Sequence, residues 1–460
     1  ISAAREMMPC VDLIVVSCIM GVRNPKLELK AREIINSSFD IKVICSHEVE
    51  CNLGYYQRTV TAILNGRLLE IITNFINAIE TVLKSKHITA PLYIVKSDGS
   101  LLSLECVREK PVETMFSGPA ASIAGAVYLS GVNDAIVVDI GGTTSDIGIV
   151  RSKRISISGS GAQIGKWKTH VKSAELLTIG LGGDSLIDRD DNGNITVGPE
   201  RVTPSCRSSI PSYLTPTDIL HCTGEYTEWN SEASIIGATL LANFIGTERQ
   251  EFCINVKRLF AQNMAKDLLS FLMDGVDRNE IEKMLECSLF SRFKVDIPVV
   301  LLGGPVKAYI DELKKLIDAE IIAPEYSEVG NAVGALVGKG TKRVEITVRT
   351  TYSESRYDLR TKGVFVYTPV GRRHFVIREE ALEFAEEFGR KLVLDYMGES
   401  GLSPDQVTIC VEKEDVMVNK GDIPLETRFI FEGVSNSDVY EKAVSGHKTC
   451  RSFAEVEGLT

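Results

Sequence analysis

Apolar positions along the chain follow two periods. Short β-branched runs at 13–18, 41–45, 92–95, 135–139, 147–150 and 297–302 predict buried strands. Between them, apolar residues at helical spacing predict helices over 27–35 and 59–83, the second carrying Ile63, Leu64, Leu68, Ile71, Ile72, Phe75 and Ile76 along one side. Strand, helix and strand in succession between Leu13 and Cys45 predict an α/β layer. The Gly- and Ala-rich stretch 117–126 predicts a connecting helix that approaches its neighbours closely. Residues 151–200 read as strands and turns and 231–285 as mostly helix; a helix (306–317), a short strand (320–323) and a further helix (329–337) follow. Near residue 341 the character changes. Runs at 344–351, 363–368 and 374–377 alternate like half-exposed strands, 379–397 reads as one amphipathic helix, and 407–418 and 425–432 complete a small C-terminal α+β domain, 341–460. No internal repeat is evident.

Composition narrows the class. With 44% hydrophobic and 25% charged residues the chain has the balance of a globular protein. A net charge of −11 repels phosphate backbones and anionic lipid, so neither nucleic acid nor a membrane surface is expected as a partner. The apolar runs are too short to span a bilayer. The 11 cysteines are scattered and include no C-x-x-C pair, which fits reduced thiols and a cytoplasmic location. Cys45, His47 and Cys51 with Glu48 have the atom types of a zinc site, but only three soft ligands lie close together, and Cys45 also reads as a strand end.

The densest chemistry lies at residues 136–150. Two apolar strands flank Asp139-Ile140-Gly141-Gly142-Thr143-Thr144-Ser145-Asp146. Glycines at Gly141 and Gly142 let backbone N–H groups approach a phosphate with no Cβ in the way, and Thr143 and Thr144 add hydroxyls. Asp139, ending a buried strand, is the residue expected to hold Mg²⁺ through its water shell, and Asp146 is placed to orient the turn or a water. A plain β-hairpin explains the glycines but not two threonines between two aspartates. No Gly-x-x-x-x-Gly-Lys-Ser/Thr is present, which excludes a P-loop, and the strand after the turn excludes a dinucleotide-binding βαβ unit. Gly303-Gly304, between an apolar strand and a helix, reads either as a tight turn or as a second nucleotide contact.

These residues carry a resemblance. Arg58-Thr59-Val60-Thr61-Ala62, Lys96-Ser97-Asp98-Gly99-Ser100, Ser117-Gly118-Pro119-Ala120-Ala121-Ser122, the hairpin, Gly180-Leu181-Gly182-Gly183-Asp184-Ser185, Pro216-Thr217-Asp218 and Asn331-Ala332-Val333-Gly334-Ala335 resemble, in order and spacing, the hydantoinase A/5-oxoprolinase family over about residues 12–340. The resemblance implies an actin-like (ribonuclease H-like) two-lobed ATPase core of α/β class. Its first lobe would be incomplete (1–118) and its second would span 119–340, with adenosine packed against Gly303-Gly304. The resemblance further implies ATP and Mg²⁺ as cofactors, ATP-driven opening of a cyclic amide such as a hydantoin or 5-oxoproline, a second hydantoinase-type subunit and an oligomer. Relatives that carboxylate ketones keep an ATP-dependent carboxylase component open, and a chaperone-like ATPase module is a third reading. Family members carry an earlier hairpin of the type Asp-x-Gly-Gly-Thr. None stands upstream of Asp139, so the sequence reads as a fragment or as a reduced relative.

Further candidates follow. In an actin-like core Asp98 would face the interlobe cleft as a catalytic group, although an Asp-Gly turn explains it as well. Asp184 would serve as general base or metal contact, or mark a turn. The run 188–193 imitates the start of a calcium loop, but Pro199 stands where that loop needs a bidentate Glu, so a turn is expected. His221 and Cys222, adjacent in sequence, are expected to be structural, and Lys166 and His170 are placed near the cleft without a role.

Overall fold

The structure is a computed structural model that describes residues 11–50, 52–90, 92–211, 213–273, 275–286, 292–339, 341–352, 361–369, 371–399, 402–417 and 424–436. The chain is a mixed α/β protein. Its N-terminal part contains β1 (Leu13–Val16), α1 (Lys26–Asn36) and β2 (Lys42–Cys45), with β1 and β2 parallel, then the long helix α2 (Tyr55–Ser85) and the antiparallel pair β3 (Tyr93–Val95) and β4 (Leu101–Ser103). Ala62, Leu69 and Ile76 on α2 are buried while Ile71 and Phe75 on its other side are exposed.

Helix α3 (Ser117–Ser130) leads into the sheet that matters most. The strands β5 (Ala135–Ile140), β6 (Ser145–Arg151), β7 (Arg154–Ile155), β8 (Leu176–Ile179), β9 (Ser185–Arg189) and β10 (Ile195–Arg201) follow in order. After them come α4 (Pro216–Thr223), α5 (Ser231–Ile245), α6 (Arg249–Leu272), β11 (Val299–Gly303), β12 (Ile321–Ile322) and α7 (Gly330–Val337). The main sheet runs β8-β6-β5-β11-β12, with β7 against β6. β5 and β11 are parallel neighbours, in register from Ile136–Val299 to Ile140–Gly303, while β6 is antiparallel to β5. Ile136, Val138, Ile147, Val299 and Leu301 face one core with α6, where Phe252, Phe260 and Met264 are buried; Val137, Val150, Val300 and Leu302 face a second core with α3. This two-faced burial is why these strands read as unbroken apolar runs.

Helices α3 and α7 touch backbone to backbone. A Cβ on Gly334 would fall 1.7 Å from the Ala121 carbonyl oxygen, and one on Gly125 1.9 Å from that of Gly330. Residues 188–194 form the turn between β9 and β10, where Asp190 accepts from the backbone N–H groups of Asn192 and Asn194, as expected of a polar turn rather than a calcium loop.

The remaining residues form a five-stranded antiparallel sheet, β15-β14-β13-β17-β16, from β13 (Thr341–Tyr352), β14 (Thr361–Thr368), β15 (Gly371–Phe375), β16 (Val407–Val416) and β17 (Glu426–Ser435), with α8 (Arg378–Glu399) on one face. Ala381, Ala385 and Val393 of α8 bury against Ile346, Val348, Val366 and Phe431.

Among the described residues the cysteines are free thiols, and no helix there is long and apolar enough to cross a membrane.

Candidate active site

Two parallel strands, β5 and β11, end side by side, and a glycine turn follows each. Crevices beyond the carboxyl ends of parallel strands are where α/β sheets bind ligands. Here the crevice is a cavity of about 270 Å³ lined by Asp139, Gly141 and Gly142 of the hairpin, by Gly183, Thr217 and Leu220, by Gly303 and Gly304 with the following Pro305, Val306 and Tyr309, and by Glu328. The structure therefore brings the hairpin and the Gly303-Gly304 turn to one cavity.

The glycines differ in what they do. Gly303 has φ +122, and a Cβ there would strike the Ile140 carbonyl oxygen at 2.3 Å, so the fold itself requires a glycine. A Cβ on Gly304 would meet no protein atom within 4 Å; nothing in the packing requires that glycine, and the space it leaves opens on the cavity. Gly141 donates to the Thr144 carbonyl at 2.9 Å, closing the turn. The N–H groups of Gly142, Thr143 and Thr144 donate to no described protein atom, and Gly142 and Thr143 are exposed. Unpartnered amides around a tight turn form an anion cradle.

Asp139 and Asp146 stand directly opposite each other across the β5–β6 ladder. Ser122 Oγ donates to Asp139 Oδ2 at 2.5 Å, and Thr178 Oγ1 donates to Asp146 Oδ1 at 2.5 Å. Burial pushes the Asp139 carboxyl above its ordinary range despite the Ser122 bond. Burial, and then the neighbouring Asp139 charge, do the same to Asp146. Like charges facing across a ladder destabilise it. Asn331 Nδ2, on α7, donates to Ser122 Oγ at 3.1 Å and to the Gly118 carbonyl at 2.8 Å, so the two closely packed helices position Asp139.

Asp184 lies against the same turn. Its backbone N–H donates to the Gly142 carbonyl at 2.7 Å, Gly183 donates to the Gly141 carbonyl at 2.9 Å, and Thr217 Oγ1 donates to the Gly183 carbonyl at 2.8 Å. Asp98 is not among the residues lining the cavity. Its carboxylate accepts from Ser100 N–H at 3.0 Å and pairs with Lys96 Nζ at 3.4 Å, the arrangement of an Asp-Gly turn. Thr217, Tyr309, Glu328, Ser122 and Asn331 were not singled out as site residues by sequence; Ser122, Thr217 and Asn331 sit in the stretches that carried the resemblance, whereas Tyr309 and Glu328 left no signal.

His221 is buried on α4 with its ring edge-on to Tyr226 at 5.3 Å, and Cys222 packs against the core; neither lines the cavity. Cys45 and His47 do come together, with Glu28 rather than Glu48, their ligand atoms within 4.8 Å of one another; Cys51 lies outside the described residues. Burial pushes the Cys45 thiol up to about 11. The Glu28 oxygens are already engaged by Cys18 N–H at 2.8 Å, Ser46 Oγ at 2.8 Å, His47 N–H at 3.1 Å and His47 Nδ1 at 2.6 Å. The cluster is a satisfied buried carboxylate.

Comparison with known proteins gives the family and the fold. The profile of the hydantoinase/oxoprolinase family matches residues 58–344. The chain is 28% identical over 193 residues to caprolactamase subunit alpha of Pseudomonas jessenii, covering 41% of this chain and 28% of that protein. It is 27% identical over 290 residues to an uncharacterized protein of Methanocaldococcus jannaschii, covering 56% and 42% respectively. To the acetophenone carboxylase gamma subunit of Aromatoleum aromaticum it is 29% identical over 196 residues, covering 40% and 26%. These matches thus span less than half the length of each of those relatives. Among solved structures, nucleotide-free acetone carboxylase (TM-score 0.66) and the ATP-dependent caprolactamase of Pseudomonas jessenii (TM-score 0.67) share the fold at 18% identity, each over 95% of this chain and 66% of the other.

Proposed function

The chain belongs to the hydantoinase/oxoprolinase family, and from that premise we propose that it binds Mg-ATP in the cavity between the two glycine turns and serves an ATP-dependent hydrolase that opens a cyclic amide of the hydantoin or 5-oxoproline type. The observation that carries the reading is the set of unpartnered amides at Gly142, Thr143 and Thr144 beside Asp139, with the open space at Gly304 in the lining of the same cavity. In this reading residues 1–118 belong to a first actin-like lobe, 119–340 form the second lobe and 341–460 a C-terminal domain.

The turn amides would take the phosphate tail, the Gly303-Gly304 turn would pack the adenosine, and Glu328 would accept from ribose hydroxyls. The residues fit a divalent cation, because two opposed carboxylates with raised affinity for protons gain from a positive charge beside them. Asp139 would hold Mg²⁺ and Asp146, oriented by Thr178, would fix the water around it. Bound there, the cation would neutralise phosphate charge. Activation would form a bond from the amide oxygen to the γ-phosphorus as the bond to ADP breaks. Water then adds at the amide carbon, the C–N bond breaks as the nitrogen takes a proton, and a second water would hydrolyse the resulting acyl phosphate to carboxylate and phosphate. Nucleotide binding is proposed for the chain itself, and full turnover for an assembly in which it meets a second hydantoinase-type subunit, since the caprolactamase and acetophenone carboxylase relatives are themselves named as subunits.

A carboxylase component is the second reading, favoured by the match to an acetophenone carboxylase subunit at the same level of identity as that to a caprolactamase subunit. Phosphate release, measured with hydantoin, 5-oxoproline or a ketone plus bicarbonate, and with and without the second subunit, separates the two. Stimulation by the cyclic amides supports the hydrolase. Dependence on bicarbonate supports the carboxylase. Slow release indifferent to all of them contradicts both and leaves a chaperone-like ATPase module.

A further inference from the structure

The cavity wall offers the carboxylates of Asp139 and Glu328 and no cationic side chain. Phosphoryl transfer depends on positioning and charge neutralisation, so a triphosphate bound there needs positive charge from the rim. Two guanidinium groups stand at the phosphate end. Arg201 Nη2 lies 3.1 Å from Asp184 Oδ2, and Arg207 Nη1 lies 3.9 Å from the same oxygen. We propose that Arg201 and Arg207 form a clamp for the terminal phosphoryl group, with Asp184 the positioning residue that holds both against the Gly141-Gly142 turn. This rests on the nucleotide reading above and names the groups that would distinguish ATP from ADP.

Three observations carry it. The Asp184 carboxylate lies on the turn itself: a Cβ added to Gly142 would sit 2.9 Å from Oδ2. The loop around it is one hydrogen-bonded unit, because Asp184 N–H donates to Gly142 at 2.7 Å and Val202 N–H donates to Asp184 at 3.0 Å, which fixes the strand end that carries Arg201. Finally, the two arginines share one carboxylate oxygen while their side chains stay 55% and 48% exposed. Each guanidinium has five donors, and one shared oxygen engages a small part of them. Arg207 is held further by Trp229, whose ring centroid lies 4.9 Å away. A half-exposed ion pair of this kind contributes little to folding, but a planar fork beside an anion cradle is suited to a phosphoryl group.

The test is the ratio of affinities for Mg-ADP and for the Mg²⁺ complex of the imidodiphosphate analogue of ATP, measured by calorimetry on the full chain. The clamp predicts that Arg201→Ala with Arg207→Ala weakens the triphosphate analogue by about tenfold or more while ADP changes by about twofold or less. Arg201→Lys in an otherwise native chain should retain part of the difference, and Asp184→Asn should reduce it by a smaller factor. Thermal melts of the same variants report on folding. Equal loss for both nucleotides, or no loss for either, overturns the clamp. If the arginine variants bind normally while Asp139→Ala does not, the clamp fails and the nucleotide site stands. If the native chain binds neither nucleotide, both fail.

Discussion

At the scale of single residues, neighbouring glycines have opposite roles, and substitution separates them. Gly303→Ala forces a Cβ onto the Ile140 carbonyl at a positive φ and is expected to cost about 2–4 kcal/mol of stability, read from denaturant unfolding. Gly304→Ala meets only cavity space, so its stability should change by roughly 0.5 kcal/mol or less while Mg-ATP affinity falls by about tenfold or more. An unchanged affinity would remove the adenosine role from that turn. Asp139→Ala should abolish Mg-ATP binding while the protein still melts cooperatively. Glu28 gives a pH signature. Burial alone would raise its carboxyl, but the bonds from His47, Cys18 and Ser46 outweigh it and hold the group down at about 2. A carboxyl held down in the folded state stabilises fully above its unfolded value, near 4.5, and that contribution is lost as pH falls toward about 2. Glu28→Gln should lower the melting temperature at pH 7 and flatten its decline across that window; an identical slope would contradict the assignment. The hairpin residues were legible because their chemistry is contiguous in sequence. Tyr309 and Glu328 were not, since their place in the cavity comes from folding remote segments together and neither stands in a motif.

At the scale of elements, periodicity located the strands of the main sheet well because both of their faces are buried, so the apolar runs are unbroken and end where the cavity begins. It did worse where local backbone competes. The helix expected over 306–317 opens instead as a 3-10 turn, Val306–Tyr309, before the α-helix Ile310–Leu316, and Ile317 passes into a strand pair. The strand expected to reach Ile377 ends at Phe375; Val376 is 80% exposed, and α8 starts at Arg378, whose guanidinium donates to Thr350 Oγ1 at 2.7 Å and to Thr427 Oγ1. The Gly- and Ala-rich stretch was read as a close-packing helix, but its partner, α7, was not identifiable from spacing. That pairing has a consequence. Gly334→Ala places a methyl 1.7 Å from the Ala121 oxygen, and overpacking of backbone against backbone should cost about 1–3 kcal/mol or more. Because Asn331, Ser122 and Asp139 are linked across the same two helices, nucleotide affinity should fall with it. A destabilised variant with native affinity would show that the linkage does not position Asp139.

At the scale of the whole molecule, the sheet that begins at Thr341 and its helix meet the N-terminal half at specific contacts. Lys172 pairs with Glu345 at 3.4 Å, Arg23 lies 5.1 Å from the centre of the Tyr367 ring, and Tyr396 packs with Ile76 and Leu102. The α/β class and the family were legible from the order of motifs. The substrate was not, because the chain matches relatives named for a lactam and for a ketone at nearly equal identity. What unifies the molecule is the placement of two turns from adjacent parallel strands at one crevice. The most direct test is a crystal structure with an uncleavable ATP analogue and Mg²⁺. It should show the phosphates on the amides of Gly142, Thr143 and Thr144, with the base over Gly304. A nucleotide bound elsewhere on the chain, or seated with its phosphates away from that turn, would contradict the account.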